Sequence, residues 1–301
     1  MICGFLVTPC GVLQSVDCGP IDAGNGFCCY VVTETVNACV GRPLRLEGHL
    51  VTASADGCAE GWSDEESTPA MMALTAEQRT ALANAFTCDA LLEHASVGTY
   101  ARFALELLAV GAPAPLVAAA HRAALDEVTH ARLCFALAQT YRSAPVRPSP
   151  VPFHRTLSVT SDLAELAAET AREGCIGETL AAIVAAEQLM GATDPAVRRA
   201  LAVIARDEAR HAELAWRTVV WALTVGGARV HAAVERVFDD VTAHVPKPPA
   251  DGVTGLEAHG RLSSCALREA MARGVRDVIR PCARAVLEAP DRVEASSALS
   301  T

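Results

Sequence analysis

Apolar positions in the middle of the chain recur with the spacing of an α-helix, and alanine fills many of them. This spacing predicts four helices: from residue 76 to about 110, from the end of a break at 111–115 to about 142, from 162 to about 190 and from 195 to about 225. Thr75 and Gln78 have the spacing of a capping box at the start of the first helix, and Asp194-Pro195 is typical of the start of the fourth. The chain is therefore predicted to be mainly α-helical.

The connecting segments group these helices into two hairpins. A short break at residues 111–115, which contains glycine and proline, joins the first two helices, and the segment from Gly191 to Asp194 joins the last two. Four prolines between residues 143 and 154 predict a long extended crossover between the pairs. The resulting fold is a four-helix bundle of two helical hairpins. Extra C-terminal helices are predicted near residues 228–244 and 255–288.

The first 60 residues have a different pattern, with β-branched runs separated by glycine and proline. Seven of the 12 cysteines lie there, none in a C-x-x-C pair. A module this short has a small core, so disulfides are the expected reinforcement, with reduced structural cysteines or a metal as the alternatives. The predicted domains are a Cys-rich β module at 1–60, an acidic linker at 61–75, the bundle at 76–225 and a C-terminal helical extension at 226–301.

Composition narrows the possible functions. Hydrophobic residues make up 51% of the chain and charged residues only 20%, so a large core is available. The net charge of −10 argues against nucleic-acid binding, which needs a basic surface. No apolar run reaches the roughly 20 residues that a membrane span requires.

One pattern of acidic residues and histidine occurs in each predicted hairpin. A glutamate lies in the middle of one helix, and the partner helix carries the sequence Asp-Glu-x-x-His. The residues are Glu93, Asp126, Glu127 and His130 in the first hairpin and Glu178, Asp207, Glu208 and His211 in the second. Glu and His three positions apart project from the same face of a helix, so both can reach one point between helices.

The depth and the surroundings of these residues predict a shared site. Counted from the turn of each hairpin, the mid-helix glutamate and the Glu-x-x-His motif come out level. Small apolar residues such as Ala131 and Ala212 occupy the same helix faces, which places the carboxylates on the buried side. Four buried carboxylates are prohibitively costly without compensation, and two divalent cations would supply it. Carboxylate oxygen and imidazole nitrogen suit iron, with manganese or a mixed pair possible.

Glu93, Glu127-x-x-His130, Glu178 and Glu208-x-x-His211 together resemble the ferritin-like di-iron carboxylate family, over about residues 80–222. The resemblance implies that Glu127 and Glu208 bridge the two metal ions and that Glu93 and Glu178 are terminal ligands.

The aspartates that precede the two motifs match the Asp-Glu-x-x-His form of di-iron oxygenases. In that resemblance, Asp126 and Asp207 each hold the histidine of the other motif through its free ring N–H. Arg210 is a candidate partner for one of these aspartates. Tyr100 lies seven residues after Glu93 on the same face, where it is either an ordinary core tyrosine or, speculatively, a catalytic or hydrogen-bonding residue. Glu173 falls off the face of the third-helix glutamate and is predicted to be a surface charge.

Three functions fit the pattern. The first is an oxidoreductase that activates O₂ or peroxide at a carboxylate-bridged di-iron site. The second is a rubrerythrin-like peroxidase or ferroxidase, and the third is a non-catalytic metal-binding envelope protein. The chain carries no dinucleotide fingerprint and no iron–sulfur spacing, so an oxygenase would need a separate electron donor. The cysteine-rich module favours export to the periplasm or cell surface if the true start lies upstream, and a cytoplasmic location otherwise. The oligomeric state is left open.

Overall fold

The structure, a computed structural model, describes residues 11–22, 28–36, 41–63, 68–153, 157–245, 247 and 252–288. It is mainly α-helical, as the apolar spacing predicts, with five long helical runs and two small strand pairs. The side chains of the six cysteines before residue 40 lie outside the described part of the chain, and so do the disulfides predicted for them. Cys58 is free and exposed, whereas Cys88 in the first helix is disulfide-bonded.

The predicted β content of the N-terminal module is confirmed. The strands are β1 (Gly11–Asp22), β2 (Cys28–Val36), β3 (Arg45–Leu46) and β4 (His49–Leu50), and they pair antiparallel in sequence order. Glu47 and Gly48 have φ values of 53° and 81°, as the tightest two-residue hairpin turn requires. Leu44 and Leu46 are buried against Ala95 of the first helix, so this hairpin is anchored on the helical part.

The first two helices are α1 (Ala76–Ala109) and α2 (Ala114–Arg142), close to their predicted bounds. The predicted capping box is present, because the Gln78 amide donates to Thr75 Oγ1 at 3.1 Å and the Thr75 amide donates to Gln78 Oε1 at 3.0 Å. A connection of only four residues makes α1 and α2 neighbours, and they pack against each other along their length.

The third helical run contains a geometry that the sequence analysis did not predict. It begins as α3 (Leu163–Glu169), continues as a π-helical segment (Thr170–Glu178) and ends as α4 (Thr179–Gly191). Asp162 caps its start by accepting the Ala164 amide at 2.9 Å. Residues five apart share a face of a π-helix, so the segment rotates its side chains relative to an ideal α-helix.

The fourth helical run, α5 (Pro195–Asp239), is interrupted at Gly227, where φ is 63° and ψ is −163°, values that are not helical. The prediction of one helix to about Val225 and a separate one from about residue 228 is therefore confirmed. The second α-helical part ends at Asp239, and a short 3-10 helix, Val241–His244, follows it. The last run comprises α6 (Ser264–Gly274), a π-helical segment (Val275–Ile279) and α7 (Arg280–Leu287), and it starts nine residues later than predicted.

The helices bury small side chains against one another. α5 contacts α2, α3 and α4, and α4 contacts α6. Alanine supplies many of the buried positions, as at Ala131, Ala167 and Ala215, so the helices approach closely. None of the helices in the described residues combines the length and apolarity that crossing a membrane requires.

Candidate metal centre

All six predicted ligands meet in one buried region between the helices. Glu93 comes from α1, Glu127 and His130 from α2, Glu178 from the end of the π-helical segment, and Glu208 and His211 from α5. They form two groups whose ligand atoms lie within 4.8 Å of one another: Glu93, Glu127, His130 and Glu208, and Glu178, Glu208 and His211. The cluster can therefore hold a metal ion, and the ligand roles of the individual residues stay predictions.

The two motif glutamates lie between the two histidines. His211 Nδ1 is 3.2 Å from Glu127 and 3.8 Å from Glu208. His130 Nδ1 is 3.4 Å from Glu208 and 3.8 Å from Glu127. Each carboxylate thus reaches both imidazoles, which is the placement expected of a bridging ligand.

The second ring nitrogen of each histidine faces the aspartate of the opposite motif. His211 Nε2 is 3.3 Å from Asp126 Oδ2, and His130 Nε2 is 3.4 Å from Asp207 Oδ2. Arg210 lies 3.0 Å from Asp126 and 2.8 Å from Asp207, so it contacts both aspartates. These contacts agree with the crossed arrangement that the resemblance implies. A neutral imidazole that carries its proton on Nε2, toward this carboxylate, would present the lone pair of Nδ1 to the cluster.

Several buried atoms of the cluster have no hydrogen-bond partner. They are Glu127 Oε2, Glu208 Oε2, both ring nitrogens of His130 and Nδ1 of His211. Buried polar atoms normally find a partner, and an unpartnered group requires an explanation such as a bound ion. Oxygen and imidazole donors fit a first-row divalent metal, so the residues present are suited to the predicted group.

The protonation of the outer glutamates follows from the burial of the cluster. Burial raises the pKa of both Glu93 and Glu178 well above the usual range, and neighbouring carboxylates raise it further. For Glu208, burial alone would raise the pKa, but the imidazoles of His130 and His211, 3.4 and 3.8 Å away, lower it to about 2. The cluster thus divides into carboxyls that favour a proton and carboxylates that stay ionised.

Tyr100 reaches the cluster directly. Its hydroxyl donates to Glu178 Oε1 at 2.7 Å, and its ring centroid lies 5.1 Å from that of His211. Burial is the main cause that raises the pKa of Tyr100 well above 10. The hydrogen-bonding alternative considered for Tyr100 is therefore observed, whereas a redox role stays a prediction.

Arg42 is a residue near the site that the sequence analysis missed. Its side chain is 4% exposed, and its Nε lies 3.8 Å from Glu178 Oε1. The guanidinium carbon lies 4.1 Å from the centroid of the Phe103 ring, at cation–π distance. Arg42 Nε and Nη2 have no hydrogen-bond partner.

Two glycines make room for the loop that carries Arg42. The Gly41 amide donates to the Gly177 carbonyl at 3.0 Å, and a Cβ at Gly177 would lie 2.5 Å from the Gly41 carbonyl oxygen. A Cβ at Gly174 would lie 2.6 Å from Arg42 Nη2. Two glycines within one predicted helix are a sequence signal for close approach, although they do not identify which segment approaches.

The interpretation of Glu173 as a surface charge is wrong. It is 8% exposed, and its Oε2 lies 3.6 Å from Arg102 Nη2. The π-helical geometry explains the error, because Glu173 and Glu178 are five residues apart and share a face there. Burial raises the pKa of Glu173 to about 7, although the charges of Arg42 and Arg102 oppose the rise.

Comparison with known proteins adds no further constraint on this centre. No protein-family model matches the chain, and neither a curated protein nor a solved structure matches it. Functional conclusions therefore depend on the geometry of the cluster itself.

Proposed function

We propose that this chain forms a ferritin-like four-helix bundle that binds two iron ions and acts as an oxidoreductase on O₂ or peroxide. Manganese or a mixed pair is the alternative metal content. The crossed arrangement carries the proposal: each imidazole directs one nitrogen at the opposite motif's aspartate and the other at two buried, shared glutamates. Ion pairs on a solvated surface do not require such an arrangement.

Charge balance supports two divalent ions. Burying a carboxylate without a counter-charge costs several kcal/mol, so four uncompensated ones would destabilise the fold severely. Two ions with a charge of +2 each neutralise Glu93, Glu127, Glu178 and Glu208, and the imidazoles can then remain uncharged ligands. A single ion would leave two of these carboxylates ionised or require that they hold protons.

Iron bound at this centre would supply the electron transfer and the Lewis acidity that reactions of O₂ or peroxide require. The chain positions the ligands for such work. Asp126 and Asp207 hold the ring orientation and the tautomer of the two histidines. Tyr100 holds a proton 2.7 Å from Glu178 Oε1, where it can be shared with that carboxylate.

The alternative functions differ in how the ferrous protein would react with O₂ and peroxide. A rubrerythrin-like peroxidase or a ferroxidase would act without an organic substrate, and a non-catalytic envelope protein would bind metal without turnover. An oxygenase would in addition need a separate electron donor. Mixing the ferrous protein with H₂O₂ or O₂ in a stopped-flow spectrometer separates these cases, because preferential oxidation by peroxide indicates a peroxidase and inertness toward both indicates a scaffold.

Metal analysis of the purified protein tests the proposal. We expect about two iron or manganese ions per chain, and we expect the Glu127→Ala/Glu208→Ala variant to lose them. Glu213→Ala is the matched control, since Glu213 lies on the same helix as Glu208 with a side chain that is 66% exposed. A folded wild-type protein that takes up no metal on reconstitution would refute the proposal.

A further inference from the structure

A cavity of about 440 Å³ adjoins the cluster. Four of the predicted ligands line it, namely Glu93, Glu127, Glu178 and Glu208. Its size lies within the range of pockets that enclose small organic ligands. The cavity therefore offers a molecule of that size direct access to the metal centre.

The exposed fractions of the ligand side chains indicate which side of the metal centre faces the cavity. The Glu93 side chain is 21% exposed, whereas the side chains of the other five predicted ligands are 6% exposed or less. Residues of α1 and α4 line this cavity together with Glu93. Residues between Gly252 and Met271 complete its lining. A bound molecule would thus contact the centre on its Glu93 side.

The wall outside the cluster is largely apolar. Ala85 and Phe86 of α1, Ala181 and Ala185 of α4, and Met271 of α6 contribute to it. Pockets with such walls bind ligands mainly by burial of apolar surface, with a few polar groups to orient them. Gln188 and Thr254 also line this cavity and are candidates for that orienting role.

Apart from Glu257, which is exposed, the charges in the wall outside the cluster face opposite charges. Arg261 forms an ion pair with Asp89, and its guanidinium carbon also lies 5.3 Å from the centroid of the Phe86 ring. Arg42, the other arginine in the wall, faces Glu178. A charged ligand would have to displace one of these partners or be buried without one, and both are costly.

We propose that this cavity binds a neutral, mainly apolar organic molecule beside Glu93. The role of that molecule as the substrate rests on the proposed di-metal function, whereas its binding does not.

Competition binding with three ligands of one tail length tests this inference. The probe is the neutral fluorophore N-phenyl-1-naphthylamine, and the competitors are 1-decanol, decanoate and decylamine. Titrations use the purified protein, and its metal content is measured in the same sample. A protein that takes up no metal but still binds decanol would refute the proposed function and leave the binding inference intact. We expect decanol to displace the probe at a concentration at least about tenfold lower than either charged analogue, since only the charged heads must be desolvated.

Two cavity variants and one control locate the binding. Ala181→Phe places a ring in the cavity from α4, and Ala85→Phe does the same from α1. Ala186→Phe is the matched control, because Ala186 lies on α4 and is exposed. We expect decanol affinity to fall at least about tenfold in whichever cavity variant retains the wild-type helical content, and to be unchanged in the control. Equal or tighter binding of a charged analogue, no decanol binding to the wild type, or unchanged binding in both cavity variants would overturn the inference.

Discussion

Metal uptake by the cluster should release protons, and their number follows from the structure. In the metal-free protein, burial raises the pKa of Glu93 and Glu178. Burial alone would lower the pKa of the histidines, but the neighbouring carboxylates raise it well above 6.5 for His130 and to about 12 for His211. These four groups are therefore expected to hold protons near neutral pH, in the positions that cations would neutralise.

The remaining two ligands complete the charge balance. The nearby imidazoles outweigh burial and hold the pKa of Glu127 and Glu208 below the usual range. The metal-free cluster then contains two imidazolium ions and two carboxylates, which is neutral. Four carboxylates with two divalent ions are neutral as well. Loading should therefore exchange two divalent cations for up to about four protons without leaving net charge in the interior.

The assay is a titration of Mn²⁺ into metal-free protein in a weakly buffered solution with a pH indicator dye. Manganese(II) avoids the oxidation that would complicate the proton count with iron. We expect up to about four protons per two ions, and so a joint binding constant that falls by up to about 10⁴-fold for each unit by which the pH is lowered. The Glu127→Ala/Glu208→Ala variant should release few protons, because it should bind little metal.

Stability measurements provide the second arm of this test. Groups whose pKa is higher in the folded state than in the unfolded chain bind extra protons on folding, so their contribution is present at low pH and lost as the pH rises. The metal-free protein should therefore lose stability between about pH 5 and pH 8, while the stabilisation by added Mn²⁺ should grow over the same interval. Loading of two ions with release of fewer than about one proton would refute the reasoning, as would a metal-free protein that becomes more stable as the pH rises.

Three substitutions probe the surroundings of the centre. Gly177→Ala adds a Cβ that would lie 2.5 Å from the Gly41 carbonyl oxygen, so thermal unfolding should show a loss of about 1–3 kcal/mol, and an unchanged melting temperature would contradict the described position of this loop. Tyr100→Phe removes the donor 2.7 Å from Glu178 and should weaken Mn²⁺ binding by about tenfold in competition with a chelator, whereas equal affinity would indicate an ordinary core tyrosine. Asp207→Asn should weaken metal binding by about 10–100-fold, and wild-type affinity in this variant would show that the imidazole does not depend on this carboxylate.

The sequence was sufficient for those features that depend on local rules. Helix starts at Thr75, Asp162 and Asp194 follow from capping chemistry, and each is observed. The meeting of the two Glu-x-x-His motifs follows from helix periodicity and from the level depth of the motifs in their hairpins. Pairing between hairpins, such as Asp126 with His211, came from the resemblance and could not have been obtained from spacing alone.

The sequence was insufficient where the geometry departs from the α-helix or where distant segments meet. The α-helical spacing places Glu173 on the wrong face, because it turns successive side chains by 100° in a segment that is π-helical. Arg42 was missed because the loop that carries it lies more than a hundred residues from Gly174 in the chain and has no periodic pattern.

The same π-helical segment connects the metal centre to a second group of buried charges. It places Glu173 one turn from Glu178, and Arg42 lies 3.8 Å from Glu178 while its charge also lowers the pKa of Glu173. When Glu178 binds a metal ion, Glu173 can still act as a counter-charge for Arg42. Arg102 lies 3.7 Å from Glu106 and 3.6 Å from Glu173. Two arginines then face two glutamates. Both the metal centre and this adjoining group can therefore be neutral at once, which explains how so many ionisable side chains share one interior.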